Sequence, residues 1–470
     1  MSTASSANQI GARLDRLRWS PAHRGILLAL GAGWLFDSLE VSLFGSAVGP
    51  LGDHFHASTS QRDAVLAVWL GGILVGALVG GRLADRFGRR RLFVLTLVCY
   101  AFFTVLTGLS PDLTTVYVFR ALAALGVGAE YAIVNSAIAE FMPARVRGKA
   151  NAAVMQFWPA GAIVAGLVAY FALDTLALPN TTSWRYIFGV GGALALVVLA
   201  FRRRLPESPR WLASQGRLDE ADAIVSRLEA AAGTTGDLVA TAGIERSSPS
   251  FREALAELVS RYPGRLALGC LLDLAEAFGY YGIFALLTVV VLPKVAISQA
   301  SIPFFYIVGN VGALGGGVAM TVVFDRLGRH RTVVLFYTLA AGGVALLAGA
   351  TATRSAALVT IAFAVSSGLG TGAWTAAYPT FTELFPTHLR GAGVGASVGV
   401  GRIGAICGVF LLPNLATSLG ATASYALVIV FWLVGVAAMV IYAARGGVDA
   451  VGRSLETVTE IRHSIATSPR

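Results

Sequence analysis

Twelve separate stretches of this chain are each long and apolar enough to cross a lipid bilayer, and nothing else in it restricts the fold so strongly. A spanning helix needs about 20 mostly apolar residues. The stretches run over residues 24–50, 64–84, 92–110, 113–140, 150–173, 185–201, 265–291, 301–323, 332–350, 355–382, 391–414 and 420–444. The expected fold class is an all-α membrane protein with twelve transmembrane helices. The first stretch does not read as a cleavable signal peptide, because further spans follow it and it lacks a small-residue cleavage pattern.

Composition supports this reading. Of 470 residues, 56% are hydrophobic and only 13% are charged, and the mean hydropathy is +0.70. A soluble fold of this length could not hide so much apolar surface, which excludes a disordered chain, a nucleic-acid binder and an ordinary cytosolic enzyme. The net charge of +10 does not restore nucleic acid as a partner, because of where the charges sit. With both termini inside, Arg62, Arg185, Lys294 and Arg354 lie outside and Arg120 and Arg402 lie within spans, which leaves 30 of the 36 Lys and Arg inside. That asymmetry sets the topology. It predicts a multi-pass protein of the cytoplasmic membrane with both termini cytoplasmic, and attraction to anionic lipid is a secondary role for the charge. Cys99, Cys270 and Cys407 lie one in each of three spans without ligand spacing, so they read as packing residues and no metal or cofactor is expected. The 54 glycines suit close helix–helix approach in a bundle.

The chain also repeats itself. Asp85-Arg86-Phe87-Gly88-Arg89 follows the second span, and Asp325-Arg326-Leu327-Gly328-Arg329 follows the eighth. Glu140-Phe-Met-Pro143 with Arg147-Gly148 closes the fourth span, and Glu383-Leu-Phe-Pro386 with Arg390-Gly391 closes the tenth. Asp37 and Glu40 in the first span have counterparts in Asp273 and Glu276 of the seventh. Landmarks at nearly one offset indicate a duplicated six-helix unit. The expected organisation is a cytoplasmic segment at 1–23, a six-helix bundle at 24–201, a cytoplasmic linker with short helices at 202–264, a second bundle at 265–444 and a tail at 445–470. Within the linker, 216–232 has helical periodicity with Ile224, Val225 and Leu228 on one side, and 233–250 reads as a loop.

Two pseudo-symmetric six-helix bundles joined by a linker resemble the major facilitator superfamily. The motif Gly81-Arg-Leu-Ala-Asp85-Arg-Phe-Gly-Arg89-Arg is similar to that superfamily's most specific signature. Pro206-Glu-Ser-Pro-Arg-Trp211-Leu resembles a motif shared by sugar porters, organic-ion transporters and synaptic-vesicle-glycoprotein-type transporters. Gly33-Trp-Leu-Phe-Asp37, Gly128-Ala-Glu130-Tyr131 and Phe278-Gly-Tyr-Tyr281 narrow the likeness to bacterial metabolite:proton symporters near the nicotinate and aromatic-acid transporters. The resemblance implies an inner latch of Asp85, Arg89, Glu140 and Arg147 in one half and Asp325, Arg329, Glu383 and Arg390 in the other. Arg120 is assigned to the same set. A latch that closes on one side only can bias a two-state equilibrium. The alternative is that the arginines only fix topology, which would leave the carboxylates unused.

Seven charges fall inside spans: Asp37, Glu40, Glu130, Asp273, Glu276, Arg120 and Arg402. Each would cost about 2.5–3.5 kcal/mol at a helix centre unless paired, hydrated or functional. At helical spacing Asp37 and Glu40 share a face, as do Asp273 and Glu276, and the resemblance implies that these faces line a central path. No histidine lies in a span, so any coupled proton must ride on a carboxyl. Desolvation and a nearby like charge both disfavour an ionised carboxylate, and Asp37 with Glu40 meets both conditions. Asp37 is the first choice of coupling site and Glu130 the second. Glu130 and Arg120 are ten residues apart, about 15 Å along a helix, and cannot pair directly.

Arg402 offers a fork of donors suited to a carboxylate substrate, or to neutralising Asp273 or Glu276. Trp34, Tyr131, Asn135, Gln156, Trp158, Tyr280, Tyr281, Asn310, Trp374 and Tyr378 fall on the same helices, where they could stack on a flat ring or simply pack. The leading expectation is a monomeric secondary transporter that carries a small organic acid with protons. An organic cation or zwitterion comes second, a sugar or polyol third and drug efflux fourth. A non-transporting receptor is a separate class. No Walker A pattern, HExxH or nucleophile elbow appears, so enzyme chemistry has no support.

Overall fold

The computed structural model describes residues 3–172, 176, 178–202, 205–233, 250–295, 297, 302–453, 455 and 457–458. Most of the expected loop at 233–250 and of the tail at 445–470 therefore lies outside the described residues. Among the described residues all regular structure is helical.

The first bundle comprises α2 (Pro21–His54), α3 (Thr59–Phe87), α4 (Arg89–Gly108), α5 (Leu113–Phe141), a fifth span made of α6 (Arg147–Met155) and α7 (Phe157–Tyr170), and α8 (Asn180–Arg202). The second comprises α12 (Pro263–Leu286), α13 (Ile302–Leu327), α14 (Arg329–Ala352), α15 (Ala356–Leu384), α16 (Arg390–Leu419) and α17 (Ala421–Ala444). Twelve helices, with α6 and α7 joined as one, are long and apolar enough to span a membrane. Their outward faces carry large apolar side chains such as Leu95, Phe102 and Leu196. Such faces need lipid rather than water around them.

Outside the spans lie α1 (Thr3–Arg16), α9 (Pro209–Ser214), α10 (Leu218–Ala232) and α11 (Phe251–Arg261). Ser250 and Glu253 form a capping box that starts α11, so its first N–H groups are satisfied locally. α10 buries Ile224, Val225 and Leu228, the side expected from its periodicity. Arg202, counted with the linker by sequence, is the last residue of α8 and is fully buried.

The two bundles meet along α3–α16 and α7–α13. Close approach there depends on glycine. A Cβ on Gly81 would lie 2.0 Å from the Gly391 carbonyl oxygen, so neither helix tolerates a side chain at the crossing.

Candidate functional site

The ends of the spans that lie beside α1 and α9 carry a closed network of charges. Arg89 Nη2 donates to Asp85 at 2.9 Å and to Glu140 at 2.7 Å. Arg390 of the second bundle reaches the same Glu140 oxygen at 3.3 Å. Asp85 in turn accepts from the backbone N–H groups of Gly391 (3.2 Å) and Ala392 (3.0 Å), in the first turn of α16. A carboxylate at a helix N-terminus satisfies N–H groups that have no intrahelical partner. In the second half Arg329 binds Glu383 (2.9 and 3.0 Å) and Asp325 (3.0 Å). A Cβ on Gly148, at the start of α6, would lie 2.5 Å from Asp325 Oδ1. Each half thus sets its acidic turn against the other half's glycine.

Two residues of the expected latch sit elsewhere. Arg147 bonds Asp15 of α1 at 3.2 Å, a partner outside the expected set. Arg120 is deep in the first bundle, 2.5 Å from Glu40 and 4.3 Å from the Phe44 ring centroid, because a buried guanidinium needs the nearest carboxylate and ring face available.

The interior charges resolve into pairs. Glu40 also accepts from Thr104 at 3.0 Å. Glu130 is held by both terminal nitrogens of Arg202, one at 2.8 Å. Gly33 makes room for that pair, since a Cβ there would lie 2.2 Å from Arg202 Nη2. Asp273 Oδ2 lies 3.6 Å from Arg402 Nη2, in space left by Gly401. Glu276 accepts from Tyr337 at 3.0 Å. Asp37 is fully buried beside Tyr100 and Arg202, and neither of its oxygens makes a hydrogen bond of normal geometry. The acidic pairs do not all face a central path as expected. The partners of Glu40 and Glu276 lie on helices of their own bundle, because a carboxyl in an apolar bundle turns to the donors its neighbours supply.

Between the bundles the predicted aromatic residues form one continuous chain of ring contacts. Trp34 meets Tyr131 (centroids 5.0 Å), Trp158 (5.5 Å) and Tyr378 (6.5 Å). Trp158 meets Trp374 at 5.7 Å, and Trp374 meets Tyr280 at 5.1 Å. Arg402 lies against this chain, 5.1 Å from the Tyr131 centroid and 5.2 Å from that of Tyr281, and it donates to the Tyr281 hydroxyl at 3.0 Å. Its Nε and Nη2 make no hydrogen bond. Gln156, at the α6–α7 junction, bridges the halves to Thr375 at 3.3 Å. Asn135 and Asn310 donate to the carbonyls of Tyr131 and Tyr306 one turn back, which leaves their Oδ1 atoms unbonded. Rings of the two halves meet at Trp34–Tyr378 and Trp158–Trp374, so the bundles are closed on each other there in this conformation.

A family model described as "Sugar (and other) transporter" matches residues 31–461. The chain belongs to that family. It is a transporter of the major facilitator fold, not an enzyme. The niacin transporter NiaP of Acinetobacter baylyi is 27% identical over 95% of this chain and 98% of its own length. Organic cation/carnitine transporter 7 of Arabidopsis thaliana is 27% identical over 84% of this chain and 85% of its own. The proton:xylose symporter XylE of E. coli, bound to 6-bromo-6-deoxy-D-glucose, superposes with a TM-score of 0.76 at 20% identity, covering 93% of this chain and 98% of that one.

Several residues of the transporter's site were not singled out from sequence. Arg202 was one, although an arginine abutting an apolar run was a visible signal. Glu207 is marked in the sequence only by the motif that contains it. Its carboxylate accepts from the N–H groups of Arg89 (2.8 Å) and Arg90 (3.2 Å), capping α4 where Gly88 turns with φ +94°. Trp211 donates to the Asp85 carbonyl at 2.8 Å. The Pro206–Leu212 motif thus braces the turn that carries Asp85. Asp15 holds Arg147 and, at 2.9 Å, Arg210, a contact across the sequence that no local pattern marks.

Proposed function

We propose that the protein takes up a small aromatic carboxylate, of the nicotinate or benzoate kind, together with protons, across the cytoplasmic membrane and with both termini on the cytoplasmic side. One observation carries this reading. The Arg402 guanidinium stands between tyrosine rings of opposite halves, with Nε and Nη2 undonated. A planar fork of donors bordered by aromatic faces suits a carboxylate attached to a flat ring. The name of the Acinetobacter relative supports the same chemistry. Transport proceeds by alternating access: the inner network around Asp85 and Glu140 breaks, and the two bundles rock about the ring chain.

Asp37 is the coupling site. Glu40 and Glu130 each hold an arginine, which leaves Asp37, of the three acids inside the spans of the first bundle, without an ion pair among the described residues. A carboxyl in that position can gain and lose a proton without stranding a cation.

A second reading has its own observation. Asp273 and Glu276 place negative charge next to Arg402, and aromatic rings also suit an organic cation. The carnitine-transporter relative carries that chemistry in its name. A thermal-shift panel separates the two. Nicotinate or benzoate should stabilise the purified protein, and Arg402→Ala should remove the effect. Stabilisation by carnitine or choline, with none by carboxylates, would select the cation.

A further inference from the structure

The inner ends of α2 and α10 and the segment after α8 enclose a groove of about 450 Å³, before Trp34 on α2 and apart from the Arg402 cluster. That volume is in the range of small-molecule sites. The walls are apolar: Gly25 and Leu28 from α2, Pro206, and Ile224 and Leu228 from α10. Arg227 is the charged residue in the lining. It is exposed, as is Arg24 next to Gly25. Among the described residues neither arginine has a carboxylate within ion-pair distance. The nearby acids are already engaged, because Asp222 and Glu229 bind Arg13, and Glu229 also binds Arg16. Those bonds also anchor α10 to α1, so the groove has fixed walls.

Its depth is marked by two neighbours. Trp19, 41% exposed just before α2, is of the type that sits at a membrane–water interface. Leu28, 55% exposed within the lining, is of the type that faces hydrocarbon. Such neighbours suit a groove that runs from headgroup level into the acyl region, with Arg227 in its lining.

We propose that this groove binds an anionic phospholipid, its phosphate on Arg227 and Arg24 and one acyl chain along Leu28, Ile224 and Leu228. That the lipid belongs to the cytoplasmic leaflet rests on the orientation proposed above, whereas binding in detergent does not depend on it. The test is native mass spectrometry of the purified protein titrated with phosphatidylglycerol, with phosphatidylcholine of the same chains, and with inorganic phosphate. Two arginines near the surface should favour the anionic lipid by about tenfold or more. The double variant Arg24→Gln/Arg227→Gln should lose that preference. Gly25→Phe should lose lipid retention altogether: a Cβ there meets nothing within 4 Å, so the ring fills the groove without strain. Equal retention of the two lipids by the parent protein would overturn the proposal, as would phosphatidylglycerol retention unchanged in both variants. Inorganic phosphate binding as tightly as phosphatidylglycerol would also overturn it, since the apolar walls would then contribute nothing.

Discussion

At the scale of single residues, the interior of this transporter is governed by the cost of charge in an apolar bundle. Removing one partner of a buried pair leaves the other uncompensated, which costs about 3–5 kcal/mol. Arg202→Met should therefore lower stability by roughly that amount, read as a shift in detergent melting, and Glu130→Gln in the same background should restore much of it. No restoration would mean that Arg202 acts through Phe93, whose carbonyl it also binds. Asp37 is different, since it holds no ion pair among the described residues. In proteoliposomes Asp37→Asn should lose accumulation driven by an imposed pH gradient while exchange stays measurable. Accumulation at the parent level would remove Asp37 from the coupling role. Sequence made every one of these acids visible, because charges are rare in apolar spans. It did not show their partners, because Glu40 with Arg120 and Glu130 with Arg202 are joined across 80 and 72 residues.

Among elements, the decisive contact is between α3 and α16. The backbone of Gly391 sits against that of Gly81 while its N–H holds Asp85, so closure of the inner side needs both a missing side chain and a carboxylate. Gly391→Val should prevent this approach and shift the protein toward a conformation open on the inside. Spin labels on the inner ends of the two bundles should then show longer distances, and an unchanged distribution would count against the crossing as the gate. The α1–α10 contact makes a pH prediction. The Arg13 and Arg16 guanidiniums that bind Glu229 hold its carboxyl below the usual value of 4.5. A depressed carboxyl stabilises the docked state fully above that value, and the contribution is lost as pH falls through the lowered one. The protection factor of the amides over Ile10–Leu17, which removes the intrinsic pH dependence of exchange, should be high at neutral pH and fall in acid. A protection factor that falls on raising the pH instead would contradict the pairing. The motif after α8 was legible as a string, but its work of capping α4 at Gly88 was not, because Glu207 lies over 100 residues from the N–H groups it satisfies.

For the whole molecule, the duplicated plan explains why the inner network occurs twice and why each half's acidic turn meets the other half's glycine. A transporter that cycles must break these contacts with modest energy, and the reconstituted protein should show counterflow of its substrate with no gradient imposed. Absence of exchange for every carboxylate, amine and sugar tried would leave a receptor as the better reading.

The twelve spans, their duplication and the roster of interior charges and rings were all legible in the chain alone. These follow from local physics: length against bilayer thickness, charge against hydrocarbon, and motifs that repeat at one offset. Pairing was decided only by the tertiary structure. It placed Arg120 on Glu40, Arg147 on Asp15 and Arg202 on Glu130, and it left Asp37 and two donors of Arg402 free of hydrogen bonds. Which side chain meets which depends on how helices distant in sequence rotate and cross, and no periodicity along one helix records the rotation of its neighbour.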